Sequence, residues 1–99
     1  MTKHQIVIVG GGSAGIATAS SLRSRDASLD IAIIEPSDQH FYQPGWTMVG
    51  AGIFTKGQTV RSTDSVWPSG IKRIKGAVAT FSPEKNTVTL NDGSEVHYE

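Results

Sequence analysis

Three glycines and one glutamate have the types and the spacing that bind a dinucleotide. Gly10, Gly12 and Gly15 form the pattern G-x-G-x-x-G within VGGGSAG, and Glu35 follows 20 residues after Gly15. In such a turn the first glycine permits a tight bend, the second lets the backbone approach a pyrophosphate, and the third lets the helix pack close to the strand. The glutamate can accept two hydrogen bonds from a ribose diol. The glycine pattern alone is weak evidence, because 11 glycines in 99 residues make chance matches easy.

The segments around the glycines have the periodicity that a dinucleotide-binding unit needs. QIVIV, before Gly10, is a continuous apolar run typical of a strand buried on both faces of a parallel sheet. SAGIATASSLRSR then places apolar and small residues at helical spacing, and DIAII is a second short strand that ends directly before Glu35. Residues 5–35 are therefore predicted to form a β-α-β unit with a right-handed crossover. The alternative is a glycine-rich turn in a nucleotide-free domain, with Glu35 as a solvated strand end.

The segments after Glu35 favour FAD over the nicotinamide dinucleotides. A carboxylate at position 35 would repel the 2′-phosphate of NADP, and an NAD-binding domain continues with another helix and strand. Here residues 36–70 predict a long loop, with at most a short helix or turn around TVRSTDSVW. From residue 71, alternating segments and turn signals at 82–86 and 91–93 predict a three-stranded antiparallel meander. The predicted fold class is α/β, a partial Rossmann-type FAD-binding domain with a parallel β-α-β unit and a β-meander.

Composition excludes several other functions. Nine basic and nine acidic side chains cancel, which removes the electrostatic argument for a nucleic-acid partner. The chain has no cysteine, so these residues supply no disulfide, no thiolate metal site and no thiol nucleophile, and no metal site is predicted. The longest apolar run, IVIVG, is far too short to span a bilayer and is not a secretory signal. A soluble, intracellular segment is the expectation.

The chain resembles the N-terminal part of the sulfide:quinone oxidoreductases, which belong to the FAD-dependent pyridine nucleotide-disulfide oxidoreductase superfamily. The segments that carry the resemblance are VGGGSAGI, IEPSDQHFYQPGWTMVGAG, WPSGIKRIKGAV and SPEKNTV, and the second is much more specific than the glycine motif. The resemblance implies that residues 36–70 line the cofactor. It also implies the following contacts with FAD: the pyrophosphate by Ser13 and Ala14, the adenosine ribose by Glu35, a more distant part by Gln43, and the adenine by main-chain groups of Val78. Relatives often have glycine where this chain has Ala14.

The same resemblance implies that the complete protein oxidises sulfide and passes electrons to a membrane quinone. Its redox cysteines and a membrane-binding region would lie after residue 99, so no catalytic residue is assigned in this chain. The expected location is bacterial and cytoplasmic, peripheral on the inner membrane. The isolated chain is expected to be inactive, to self-associate and to hold FAD weakly or not at all. The alternatives are a type II NADH dehydrogenase or other flavin disulfide reductase, and a non-catalytic nucleotide-binding module.

Overall fold

The computed structural model describes residues 2–99, apart from the side chain of Pro44. The described strands are β1 (Thr2–His4), β2 (Ile6–Val9), β3 (Ile31–Ile34), β4 (Gln39–Phe41), β5 (Val60–Ser62), β6 (Lys72–Ile74), β7 (Val78–Ser82), β8 (Thr87–Leu90) and β9 (Glu95–Tyr98). The helices are α1 (Ser13–Arg25), α2 (Trp46–Gly50) and α3 (Thr63–Val66), with 3-10 turns at Gln43–Gly45, Lys56–Thr59 and Pro83–Lys85. None of these helices is long and apolar enough to cross a membrane.

Contacts divide the chain into two compact units. The fingerprint unit contains the residues up to Pro36 together with Pro68–Glu99, and the loop unit is Ser37–Trp67. The fingerprint unit therefore contains the glycine motif, Glu35 and the meander, whereas the loop unit contains most of the segment predicted to be a loop.

A parallel sheet forms the centre of the fingerprint unit. Its strand order is β2-β3-β6, and all three strands are parallel. Every residue of β3 is buried, as expected of the middle strand of a covered parallel sheet. Helix α1 connects β2 to β3 and packs against both strands, with Ala19 fully buried. The predicted β-α-β unit is confirmed.

A second sheet has the order β1-β9-β8-β7. Strands β7, β8 and β9 are joined by antiparallel pairing, which confirms a three-stranded meander. A buried cluster of Ile34, Val88, Leu90 and Val96 joins the meander to the parallel sheet, with Ile74 packed against it. The chain is thus a mixed α/β fold with the Rossmann-like arrangement of an FAD-binding domain.

Two strands differ from the sequence-based expectation. The antiparallel pattern begins at Val78 and not at residue 71, because β6 pairs in parallel with β3, Ile74 lying opposite Ile34. The backbone N–H of Glu35 donates to the carbonyl of Ile74 at 3.0 Å, which continues this pairing beyond the strands. The other difference is β1, a polar segment that was not predicted and pairs in parallel with β9.

The loop unit has more regular structure than the predicted loop. Strands β4 and β5 pair in antiparallel register. The N–H of Tyr42 donates to the carbonyl of Thr59 at 2.7 Å, and Thr63 donates to the carbonyls of Asp38 and Ser37, each at 2.8 Å. Thr59 and Thr63 are both buried, so these polar groups fix the unit from within. Residues 37–67 therefore fold into a compact unit and do not form an irregular loop.

Candidate dinucleotide-binding site

The glycine turn leaves open space where a ligand would approach. Gly10 has φ +101°, a conformation that side chains rarely adopt, and its N–H donates to the carbonyl of Ile34 at 2.9 Å. Gly12 precedes α1 as its N-cap residue. A Cβ built on Gly10 or Gly12 would meet nothing within 4 Å. Steric packing inside the chain therefore does not explain Gly12, and its open face leaves the space that close approach of a ligand would need.

Gly15 has the opposite environment. A Cβ at this position would lie 2.0 Å from the carbonyl oxygen of Gly10 and 3.1 Å from its carbonyl carbon. Helix α1 therefore begins in direct contact with the turn that precedes it. The two glycines have separate tasks, since Gly15 allows the helix to approach the turn and Gly12 leaves the turn accessible.

The first turn of α1 has backbone N–H donors directly after Gly12. Ser13 and Ala14 are the first two helical residues, and both are exposed. No acidic residue lies in the first turn and no side chain caps the helix. Since the first N–H groups of a helix have no intrahelical acceptor, this end offers unpaired donors and partial positive charge to an anion. The residues fit a pyrophosphate.

Glu35 is bound to the glycine turn, a contact that the sequence analysis did not foresee. Its Oε1 accepts a hydrogen bond of 2.9 Å from the backbone N–H of Gly11, which is itself buried. The guanidinium of Arg73 donates to the Glu35 carbonyl at 3.5 Å. The carboxylate therefore lies at the edge of the turn, close to where the glycines leave open space. Such a position suits an acceptor for ribose hydroxyls.

A cavity of about 340 Å³ lies next to the end of β3 and the end of β6. Its lining residues are Pro36, Lys75, Gly76, Ala77, Leu90, Asn91 and Asp92. The hydroxyl of Ser94 donates to the Asp92 carboxyl at 2.5 Å and its backbone N–H donates at 2.9 Å, and these bonds hold the pKa of Asp92 below its ordinary value. In open α/β sheets, ligands bind beyond the carboxyl ends of the strands, so this cavity is the candidate adenosine site.

Val78 follows the cavity-lining residues at the start of β7. It lies opposite Leu90, and the N–H of Asn91 donates to the carbonyl of Ala77 at 2.9 Å. In an antiparallel ladder this bond makes the Val78–Leu90 pair one of the non-hydrogen-bonded kind. The N–H and C=O of Val78 therefore point away from β8, towards the edge of the sheet that β7 forms. Main-chain contact with an adenine from Val78 remains a prediction with a suitable geometry.

The structure brings most of the predicted site residues into one unit. Those of the fingerprint unit are Gly10, Gly12, Ser13, Ala14, Gly15, Glu35 and Val78. Gln43 belongs to the loop unit, where it is exposed and begins the 3-10 turn Gln43–Gly45. Its role towards a cofactor remains a prediction. Sequence reasoning missed Asn91 and Asp92, since a turn motif gives no signal of a binding cavity.

Known proteins support the family. The family model described as pyridine nucleotide-disulphide oxidoreductase matches residues 4–99. The sulfide:quinone oxidoreductase of Mus musculus, named as mitochondrial, is 42% identical over 96% of this chain. That of Dictyostelium discoideum, also named as mitochondrial, is 43% identical over 96% of this chain. This chain spans 21% of the length of each relative, or about a fifth.

A solved structure shares the fold. The X-ray structure of the sulfide:quinone oxidoreductase from Aquifex aeolicus matches with a TM-score of 0.79 and 24% identity. The match covers 100% of this chain and 23% of that chain. The family model and the structural match cover the β-α-β unit, the loop unit and the meander together. The chain belongs to the pyridine nucleotide-disulphide oxidoreductase family, whose members are FAD-dependent flavoproteins.

Proposed function

We propose that this chain holds the adenosine and pyrophosphate half of FAD in a protein that oxidises sulfide and reduces a quinone. The cofactor assignment is carried by the hydrogen bond that joins the Glu35 carboxylate to the glycine turn. The carboxylate accepts from Gly11 at 2.9 Å, while the neighbouring Gly12 faces open space at the start of α1. One surface thus combines anion donors with a ribose acceptor.

Each part of the cofactor has a matching set of groups. The N–H groups at the start of α1, near Ser13 and Ala14, would hold the pyrophosphate, and Glu35 would accept from the ribose hydroxyls. The cavity beside Pro36 and Ala77 would receive the adenine, with the main chain of Val78 at its border. Gln43, which carries both a donor and an acceptor, would bind a more distant part of FAD.

The substrate assignment rests on the named relatives. The two sulfide:quinone oxidoreductases are 42% and 43% identical to this chain, and the aligned part includes the specific segment EPSDQHFYQPGWTMVGAG. FAD, when bound, supplies two-electron chemistry that can link a sulfur donor to a quinone acceptor. This chain contributes cofactor binding, and the sulfur chemistry requires cysteines that these 99 residues do not contain. We place the complete protein in a bacterial cytoplasm, peripheral on the inner membrane.

Self-association of the isolated chain is the partner proposal. Within residues 2–99, β2 is an end strand of its sheet. Beside it lies an apolar cavity of about 180 Å³ lined by Val7, Val9, Phe81, Val88 and Tyr98. Two of its apolar side chains are unusually accessible, Val9 at 47% and Phe81 at 61%. Exposed edges and apolar surfaces invite pairing with another chain, so copies of this chain would associate here.

The decisive experiment is anaerobic stopped-flow absorbance on the complete protein that contains this chain. Sulfide should bleach the oxidised flavin band, and a short-chain ubiquinone should restore it. If NADH bleaches the band and sulfide does not, the protein is a type II NADH dehydrogenase or a related flavin reductase. If the purified protein has no flavin band and takes up no added FAD, the cofactor assignment fails and a non-catalytic nucleotide-binding module is the remaining reading.

A further inference from the structure

We infer that Asn91, in the turn between β8 and β9, reads the edge of the adenine through its side-chain amide. Asn91 would then be a specificity residue of the adenosine cavity, in addition to the main chain of Val78. The inference rests on the proposed function, because it concerns the same dinucleotide.

The turn holds Asn91 at the cavity by its backbone. Its N–H donates to the carbonyl of Ala77 at 2.9 Å, which ties the turn to the segment that precedes β7. Ala77 and Asn91 both line the cavity of about 340 Å³. Within residues 2–99 the side-chain amide of Asn91 has no hydrogen-bond partner, so a ligand would not displace an internal contact. The backbone of Asn91 is therefore held at the cavity wall, and its exposed amide is available to a ligand.

Among the side chains that line the cavity, the amide of Asn91 is the one with both a donor and an acceptor. Lys75 offers donors alone, and Asp92 as a carboxylate offers acceptors alone. The Asp92 carboxylate is also held by Ser94, through hydrogen bonds from its N–H and its hydroxyl. The other lining residues have no polar side chain: Pro36, Gly76, Ala77 and Leu90.

Adenine has the complementary chemistry. Its exocyclic amine donates and the adjacent ring nitrogen accepts, and an asparagine amide matches both in a bidentate pair. The apolar residues of the lining suit the faces of a planar base. Gly76 lies close to Leu90, since a Cβ at Gly76 would be 3.1 Å from the Leu90 Cδ1, so this wall of the cavity is tightly packed. The apolar part of the lining together with the Asn91 amide therefore fits a purine base.

The test is a titration of the complete protein that contains this chain, freed of flavin, with ADP and, separately, with inorganic pyrophosphate, followed by ¹⁵N-edited NMR. In the wild type, ADP should shift the side-chain amide signals of Asn91 as well as the backbone signals of the glycine turn. Asn91→Ala should lower the affinity for ADP by about fivefold or more. Its affinity for pyrophosphate should not change. Asn86→Gly, which removes an exposed amide of the fingerprint unit that does not line the cavity, at a φ of 51° that glycine also adopts, is the matched control and should bind ADP as the wild type does.

The outcomes separate the inference from the proposed function. If Asn91→Ala binds ADP as tightly as the wild type while the glycine turn still responds, the adenine-reading role is wrong and the dinucleotide site stands. If neither ligand moves any signal of the glycine turn, both the site and the inference fail. Asn91→Leu keeps the approximate size and the charge of the side chain and removes its donor and its acceptor, so a comparable loss of ADP affinity is expected. That variant decides the matter if Asn91→Ala does not fold.

Discussion

Gly15→Ala should destabilise the chain although alanine is the better helix former. The added Cβ would lie 2.0 Å from the carbonyl oxygen of Gly10, and real Cβ contacts are essentially never under 3.0 Å. The start of α1 must therefore move away from the glycine turn by at least about 1 Å. The obstructing atom belongs to the backbone, so it cannot rotate aside as the end of a long side chain would.

The size of the effect follows from two opposed contributions. Forcing a group into a packed site costs about 1–3 kcal/mol, and a rigid backbone obstacle favours the upper end of that range. Replacing a helical glycine by alanine returns at most about 1 kcal/mol. The free energy of unfolding should therefore fall by about 1–2 kcal/mol, and the displaced turn should also bind the cofactor less well.

Urea unfolding followed by circular dichroism measures this change, with Gly12→Ala and Gly50→Ala as matched controls. A Cβ at either control position meets nothing within 4 Å, and neither glycine has a positive φ. Gly50→Ala should keep the wild-type stability to within about 0.5 kcal/mol, apart from a small gain in helix propensity. Gly12→Ala should lose about 0.5 kcal/mol, less than Gly15→Ala, because alanine is a poorer N-cap residue than glycine. Gly12→Ala should nevertheless lower dinucleotide affinity, because its methyl group occupies the open face of the turn. A Gly15→Ala variant as stable as the wild type would show that the helix does not need this close approach.

Three further results are expected. Glu35→Ala should weaken FAD binding by about 1–3 kcal/mol by isothermal titration, and unchanged affinity would remove this carboxylate from the site. The hydrogen bond from His4 at 3.0 Å lowers the pKa of the Asp30 carboxyl in the folded chain. The ionised carboxylate therefore stabilises the fold at pH values above its ordinary pKa of 3.8. This stabilisation is lost as the pH falls through the lower pKa of the folded state. Urea midpoints between pH 7 and pH 2 should therefore fall less steeply in Asp30→Asn, and an identical slope would contradict the argument. Val9→Lys should reduce the mass of the associated species in light scattering while Ile53→Lys, at another exposed apolar residue, leaves it unchanged, and equal effects would argue against association at β2.

Sequence patterns predicted the strands whose partners lie nearby in the chain. The β-branched run before Gly10 and the apolar run before Glu35 predicted β2 and β3 because the two strands pair with each other across a single connecting helix. Only β3 is buried on both faces, since β2 ends its sheet and Val9 is 47% exposed. Strand β6 was placed in the wrong pairing, since KRI carries no mark of its parallel partner about forty residues earlier. Strand β1 was missed because TKH is polar and its partner, β9, is near the other end of the chain.

In the candidate site too, features set by neighbouring residues were predicted, and contacts between residues distant in sequence were not. The glycine spacing predicted the turn, and the structure adds the physical reasons, a blocked Cβ at Gly15 and an open one at Gly12. The bond between Gly11 and Glu35 joins residues 24 apart and could not be derived from spacing. The position of Asn91 beside the cavity could not be predicted, because a turn motif indicates its own backbone conformation and not the cavity next to it.

The pairing of β1 with β9 delays the completion of the second sheet during synthesis. Thr2 lies opposite Val96, so β1 leaves the ribosome about ninety residues before its partner strand. At a synthesis rate of about 5–20 residues per second, the first strand waits roughly 5–20 s for that partner. Contacts of such long sequence separation also slow folding after release. During that interval the unpaired segment is exposed to other nascent chains, so slower translation or a higher local density of ribosomes should raise the fraction that aggregates before it folds.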